Sequence, residues 1–285
     1  MDAAEKLSRQ LDALNTLPSM NAIVLKFAAI AADPASSADD AVEVLKLDPA
    51  LAGKALRLAN SAYVGIPNSI ASLKNAVVLL GLKRIYSLAL ASGVLAVFAN
   101  KGPLPFVLEN YWRHSVCVGM VGESIAKLLR RYYALDSDDA FTGGLLHDIG
   151  KLALGRLAPD RITAAAADSQ DRRIPFFQAE ESALAHGVVG GLLARRWNFP
   201  RHLIDVLTFH HTPEMASAER IVLIVNVADA LVHMAGRSTY PGEIAPELLS
   251  ATVSSLQVQP EQLRAIANEA IHNEKTVESC MQCFQ

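Results

Sequence analysis

The chain has 285 residues, of which 51% are apolar, 6% aromatic and 19% charged, with a net charge of −3. Such a composition excludes a disordered chain, which needs low hydrophobicity and high net charge, and 16 Gly with 13 Pro exclude a collagen-like polymer. Twenty-six basic residues against 29 acidic ones lack the basic footprint of a dedicated nucleic-acid binder, so no nucleic-acid partner is expected.

Along the chain, helical periodicity dominates and no alternation of period two persists, which predicts an all-α fold. Ser37-Ala-Asp-Asp40 has the form of a capping box ahead of Val42 and Leu45. Asp48-Pro49 starts a second helix with proline at its first position. A third begins near Ser69–Ser72 and continues past Gly81 into the uncharged stretch Ile85–Ala99. That stretch is shorter than the roughly 18–20 residues a membrane span needs, so it reads as a buried core helix and no membrane partner is expected. Lys101-Gly-Pro-Leu-Pro105 is the best candidate linker. Helical patterns follow at Trp112–Tyr133, Asp138–Leu157, Pro175–Trp197, Pro200–His211 and Ala218–Ala235, with two more starts at Pro246 and Pro260. This predicts an N-terminal helical lobe over 1–102, a helical bundle over 103–236 and a C-terminal extension over 237–285. Three cysteines are too few for a disulfide framework, and the first residues lack the apolar run of a secretory signal; both point to the cytoplasm.

The chemistry lies in the order of the histidines. His114 is followed by His147-Asp148, then His186, then His210-His211, then Asp229. Asp148 and Asp229 sit in apolar helical surroundings, where an unpaired carboxylate is costly, so each calls for a cationic partner. Imidazoles and carboxylates drawn from several helices of a bundle can converge on one or two divalent metal ions, with Fe, Mn, Zn and Ni all compatible.

The pattern H…HD…H…HH…D resembles the HD superfamily of metal-dependent phosphohydrolases. The whole chain resembles, more closely, the HDOD (HD-related output domain) family of bacterial signalling. That likeness runs from about Leu14 to Ala235 and includes Leu17-Pro18-Ser-Met20, Asp48-Pro49-Ala-Leu51, Leu58-Ala-Asn60-Ser61, Ala76-Val-Val-Leu-Leu-Gly81-Leu, Trp112-Arg-His114-Ser115, Gly144-Leu-Leu-His147-Asp148-Ile-Gly150-Lys151, Glu180 to His186, and His210-His211-Thr-Pro213. The resemblance implies a two-lobed helical fold, with His114, His147, Asp148 and Asp229 holding one ion and Asp148, His186 and His210 holding a second. His211 would be a further or outer ligand, and Lys151 would contact phosphate, so that Asp148 and Lys151 form the catalytic pair if the site is catalytic. Many members of the family have degenerate sites and act as regulators, whereas this chain keeps the full set. The loop with Gly-Tyr-Pro that follows the double histidine in cyclic-dinucleotide phosphodiesterases is absent, since Thr212-Pro-Glu-Met-Ala-Ser217 stands there. The expected function is therefore a bacterial signal-transduction protein acting through protein partners, with a mono- or dinuclear site and a phosphate-containing small ligand. The alternative is a working metal-dependent phosphohydrolase on a nucleotide or cyclic nucleotide.

Other features read as structural. His233, four residues after Asp229, is expected to line the site and bond to Asp229 or backbone. His202 and His272 are expected to be exposed, and Cys117 to act as a small hydrophobe. Cys280-Met-Gln-Cys283 is expected to lie in a frayed tail. The turn at Gly81 followed by Lys83-Arg84 faintly suggests a DNA-binding helix pair, but the near-neutral charge favours a core helix pair.

Overall fold

A computed structural model describes residues 20–98, 103–216 and 220–284, the side chain of Ser182 excepted. The readings at Leu17-Pro18, Ala99, Lys101-Gly102 and Ala218 lie outside these residues. Among the described residues there are α-helices and short 3-10 turns and no strand, as the periodicity predicts. They form two compact units, residues 20–98 with 273–284, and residues 103–272.

The first unit opens with α1 (Ala22–Ala32), which the sequence reading does not anticipate; Asn21 caps it by accepting from Val24 N at 2.9 Å. The capping box is present at α2 (Ala38–Leu45), where Ser37 N donates to Asp40 Oδ2 at 2.8 Å and Asp40 N donates to Ser37 Oγ. Asp48 caps α3 (Pro49–Ala59), with Pro49 in the first turn. The next segment is two helices rather than a continuous one, α4 (Leu73–Leu80) and α5 (Leu82–Phe98), bent by 103°. The break falls on Gly81, whose φ of +80° is a conformation that side-chain-bearing residues rarely adopt. Helix α5 is buried almost all round, through Ile85, Leu88, Leu90 and Val94, which is why it is apolar without being amphipathic. No single helix among the described residues is long and apolar enough to cross a membrane. The tail is not frayed: α16 (Glu274–Phe284) packs on α3 and α5 and buries Val277, Cys280, Cys283 and Phe284. Its apolar residues recur at helical spacing, and that burial outweighs the tendency of a terminus to fray.

The second unit is built on α6 (Leu108–Leu129), which packs against α7 (Ser137–Leu146), α13 (Arg220–Met234) and α15 (Pro260–His272). Two glycines allow the closest approaches. A Cβ on Gly144 of α7 would stand 2.7 Å from the backbone N of Gly119 in α6. A Cβ on Gly150 of α8 (Ile149–Leu157) would stand 1.9 Å from the carbonyl O of His186, at the start of α11 (His186–Arg196). The helix predicted over Asp138–Leu157 is broken between α7 and α8, with Asp148 at φ −95° and ψ 12°. A further helix, α9 (Pro159–Arg172), falls where the sequence pattern predicts only a turn, because its apolar face is small and mostly alanine. The stretch Pro175–Trp197 is also divided, into α10 (Phe176–Ala179), a 3-10 turn at Ser182–Leu184, and α11. Helix α12 (Arg201–Phe209) ends just before His210. Pro246 starts no helix; α14 (Ser250–Leu256) begins later, and Pro260 does start α15. The stretch 237–284 is shared between the units, with residues to 272 in the second and the rest in the first.

Candidate metal centre

Each candidate residue sits where a helix begins, ends or crosses the unit's centre. His114 lies in the second turn of α6, and Asp229 lies on α13. His147 and Asp148 occupy the break between α7 and α8, so their side chains leave a helix end rather than a helix flank. His186 opens α11, and His210 and His211 follow the end of α12. Lys151 is in the first turn of α8. The structure brings all eight together. His114, His147, Asp148, His186, His210, Asp229 and Lys151 are buried, and His211 is the most exposed at 12% of its side chain.

The four central imidazoles share one arrangement. His114 Nδ1 donates to Arg237 O at 2.7 Å, His147 Nδ1 to Gly144 O at 2.7 Å, and His210 Nδ1 to Val206 O at 3.1 Å. His186 Nδ1 donates to Glu180 Oε2 at 2.5 Å, and Glu180 Oε1 accepts from His186 N at 2.9 Å. A carbonyl or carboxylate only accepts, so each Nδ1 carries the hydrogen and each Nε2 presents its lone pair or a second proton inward. The Nε2 atoms meet in pairs, His114 with His147 at 3.3 Å and His186 with His210 at 3.1 Å.

Asp148 faces both pairs. Its Oδ2 is 3.7 Å from His114 Nε2 and 3.4 Å from His147 Nε2, while its Oδ1 is 3.2 Å from His186 Nε2 and 3.8 Å from His210 Nε2. Asp229 Oδ1 joins the first pair, 3.2 Å from His114 Nε2 and 3.7 Å from His147 Nε2. Asp229 Oδ2 lies 3.7 Å from His211 Nδ1. Neither Asp148 oxygen, nor Asp229 Oδ1, nor His211 Nδ1 has a hydrogen bond of good geometry despite being buried. With bonds of about 2.1 Å, ligand atoms sharing one ion stand roughly 3.0–3.4 Å apart, a range that holds the two Nε2 pairs and the shorter carboxylate contacts at 3.2–3.4 Å, while the remaining contacts are wider at 3.7–3.8 Å. The donor atoms of His114, His147 and Asp148, of His114, Asp229 and His233, and of His186, His210 and His211 each lie within 4.8 Å of one another. Imidazoles oriented toward two buried carboxylates are the donor set a divalent cation requires, so the residues fit one.

The charges agree. Burial raises the Asp148 carboxyl, but His147 and Lys151 outweigh it and hold it well below the carboxylate range. Burial raises Asp229 as well, and His233 more than reverses this. Burial, with His147 and His186 nearby, pushes His210 well below the usual imidazole range, and burial with His210 does the same to His211. Burial and His233 lower His114. Burial lowers His186 too, but the Glu180 carboxylate overrides it and carries that ring up to about 9, so a proton on His186 Nε2 serves the His186–His210 pair in the metal-free protein.

Three acidic or basic side chains were missed or underrated by sequence reasoning. Glu180 stands within the quoted signature without a role, yet its two oxygens fix His186. His233 does bond as expected, with Nδ1 3.1 Å from Asp229 O and 2.9 Å from Asp229 Oδ1. Burial lowers it, but Asp229 and Glu243 carry it up to about 10, so it is a buried cation. Glu243, from the segment between α13 and α14, places Oε1 3.5 Å from Lys151 Nζ and 3.4 Å from His233 Nε2. No periodic pattern or spacing marks it. Lys151 Nζ lies 2.9 Å from Asp148 Oδ2 and is enclosed by the Phe176 and Tyr240 rings. Phe177 stacks on His211 at 4.2 Å. Elsewhere, Cys117 is buried and His272 exposed as expected, whereas His202 is half-buried beside Asp139.

The HDOD domain family model matches residues 17–213, and the chain belongs to that family. A Treponema pallidum protein described only as uncharacterized is 25% identical over 221 residues, 77% of this chain and 42% of its own length. Ribonuclease Y of Thermus thermophilus is 30% identical over 123 residues, 43% of this chain and 16% of its own length. The chain thus spans less than half of either relative. Among solved structures, an HDOD domain protein of Geobacter sulfurreducens superposes with a TM-score of 0.73 at 24% identity, covering 99% of this chain and 93% of that one. A candidate signal transduction protein of Marinobacter aquaeolei gives 0.80 at 17%, covering 96% and 60%. A candidate metal-dependent phosphohydrolase of Shewanella amazonensis gives 0.65 at 19%, covering 99% of both chains. These likenesses show the fold.

Proposed function

We propose that this HDOD protein is a signal-transduction protein whose second unit holds a divalent metal centre able to take a phosphate-containing ligand, and that it acts through protein partners. The observation that carries the reading is Asp148, whose two carboxylate oxygens each face a different pair of inward-pointing histidines. His114, His147, Asp148 and Asp229 would hold one ion, and Asp148, His186 and His210 a second, with His211 adjoining. When bound, such ions act as Lewis acids toward phosphoryl oxygens and lower the pKa of water.

The chain's own residues do the rest. Glu180, Gly144 O, Val206 O and Arg237 O orient the rings, the partners that fix tautomer and basicity in metal sites. Lys151 adds a buried cation beside Asp148 that would draw an anion toward the centre. The enclosing Phe176 and Tyr240 exclude water from it.

The second reading, a metal-dependent phosphohydrolase, is favoured by the same completeness together with Lys151. Metal analysis of protein purified without oxygen, followed by a screen of phosphomonoesters and phosphodiesters, separates the two. Stoichiometric metal without turnover supports the signalling reading, metal-dependent turnover lost in Asp148→Ala supports the enzyme, and protein without metal defeats both.

A further inference from the structure

The segment between α13 and α14 does more than connect them. Gly236 and Gly242 both have φ of +76°, and between them the chain folds back over the centre. Tyr240 anchors it, buried with its ring stacked on Phe176 at 4.9 Å and edge-on to Phe106 at 5.4 Å. Gln170 Nε2 donates to Pro241 O at 3.0 Å. The turn then sends Glu243 inward. Its Oε2 accepts from Thr239 N and Tyr240 N at 3.2 and 3.3 Å, which fixes the side chain to its own turn. Its Oε1 faces Lys151 Nζ at 3.5 Å and His233 Nε2 at 3.4 Å. The Glu243 side chain is 3% exposed, and the Lys151 ammonium below it 2%.

A carboxylate held against the buried lysine of a metal centre stands where an incoming anion would stand. We infer that residues 236–243 form a strap whose Glu243 carboxylate occupies the anion position of the centre, so that a phosphoryl ligand binds Lys151 only by displacing it. The contact distances favour a displaceable contact over a permanent one: Glu243 Oε1 makes only a long hydrogen bond to Lys151, and its approach to His233 Nε2 lacks hydrogen-bond geometry. The strap therefore couples ligand binding at the buried centre to a change at the surface, which a partner can read. This rests on the reading of the histidines, Asp148 and Lys151 as a phosphate-accepting metal centre.

The test measures inorganic phosphate binding to metal-loaded full-length protein by equilibrium dialysis, in wild type, Glu243→Gln and Glu243→Ala, with metal content determined on the same samples. Removing the competing carboxylate is expected to tighten phosphate binding by about tenfold or more, a difference of 1.4 kcal/mol or more. Equal or weaker binding at equal metal content overturns the strap, since that is what a Glu243 that merely positions Lys151 would give. Where Glu243→Ala does not fold, Glu243→Gln, which keeps the side chain's size and removes only its charge, decides the test against wild type at equal metal content. Samples without metal overturn the underlying metal reading, and the strap with it, whereas unchanged phosphate affinity at full metal content overturns the strap alone.

Discussion

His114 and His147 point their Nε2 atoms at each other across 3.3 Å, while both Nδ1 atoms are committed to carbonyl acceptors at 2.7 Å. One proton satisfies two lone pairs; a divalent cation satisfies these two together with the Asp148 and Asp229 oxygens beside them. The prediction is that Asp148→Asn, which keeps size but removes the charge both donor sets share, loses most of its bound metal in elemental analysis. Asp205→Asn, at a carboxylate paired with Arg201, keeps the wild-type metal content.

Glu180 makes the same point from one shell out. It touches no inward donor, yet it holds His186 through both of its oxygens. Glu180→Gln is expected to weaken metal binding by about 10- to 100-fold, the usual cost of losing a partner that orients a ligand. Competition against a chelator of known affinity measures it. An unchanged affinity would show that His186 is not a ligand.

The pH dependence of the metal-free protein follows from the two raised histidines. His186 and His233 hold their protons up to about 9 and about 10 in the folded protein, against an ordinary value near 6.5. The folded state binds more protons than the unfolded state above that ordinary value, so stability falls as pH rises. Their contribution is fully present below about pH 6.5 and is lost as pH rises through 9 to 10. Urea denaturation at pH 6.5, 8 and 10 with chelator present should show the midpoint dropping across that range, and His233→Gln should flatten the slope.

Gly150 tests how the centre is assembled. Its missing side chain lets α8 lie against the first residue of α11, where a Cβ would sit 1.9 Å from His186 O. Gly150→Ala forces α8 and α11 apart, at a cost of about 1–3 kcal/mol or more. A lowered melting temperature together with weakened metal binding is expected. Loss of stability alone would separate the helix contact from the site.

Lys151 and Glu243 are expected to be coupled. Lys151→Met leaves buried Asp148 and Glu243 without their shared cation, a change worth about 3–5 kcal/mol where a buried pair is broken. Adding Glu243→Gln should recover part of that loss, and a double-mutant cycle by chemical denaturation reads the coupling. Additive effects would mean that the two side chains do not interact.

Much of the candidate centre was legible because its side chains sit beside marks that survive in sequence. His147-Asp148 stands out as polar within an apolar run, and Asp229 does so again in α13. The caps at Ser37 and Asp48 were legible because their bonds span only three residues. What was not legible depends on distant contacts. The break at His147-Asp148 is made by packing of Gly144 on Gly119 and of Gly150 on His186, whereas the local periodicity runs straight through it. Glu243 reaches Lys151 across 92 residues from a segment with no period at all. Pro246 carries the mark of a helix start, but no helix begins there and α14 begins at Ser250.

The most direct measurement is anomalous diffraction from crystals grown with manganese or zinc. An anomalous peak is expected within bonding distance of an Asp148 carboxylate oxygen and of at least two of the four Nε2 atoms of His114, His147, His186 and His210. Crystals grown with saturating metal that show no peak beside Asp148 would contradict it.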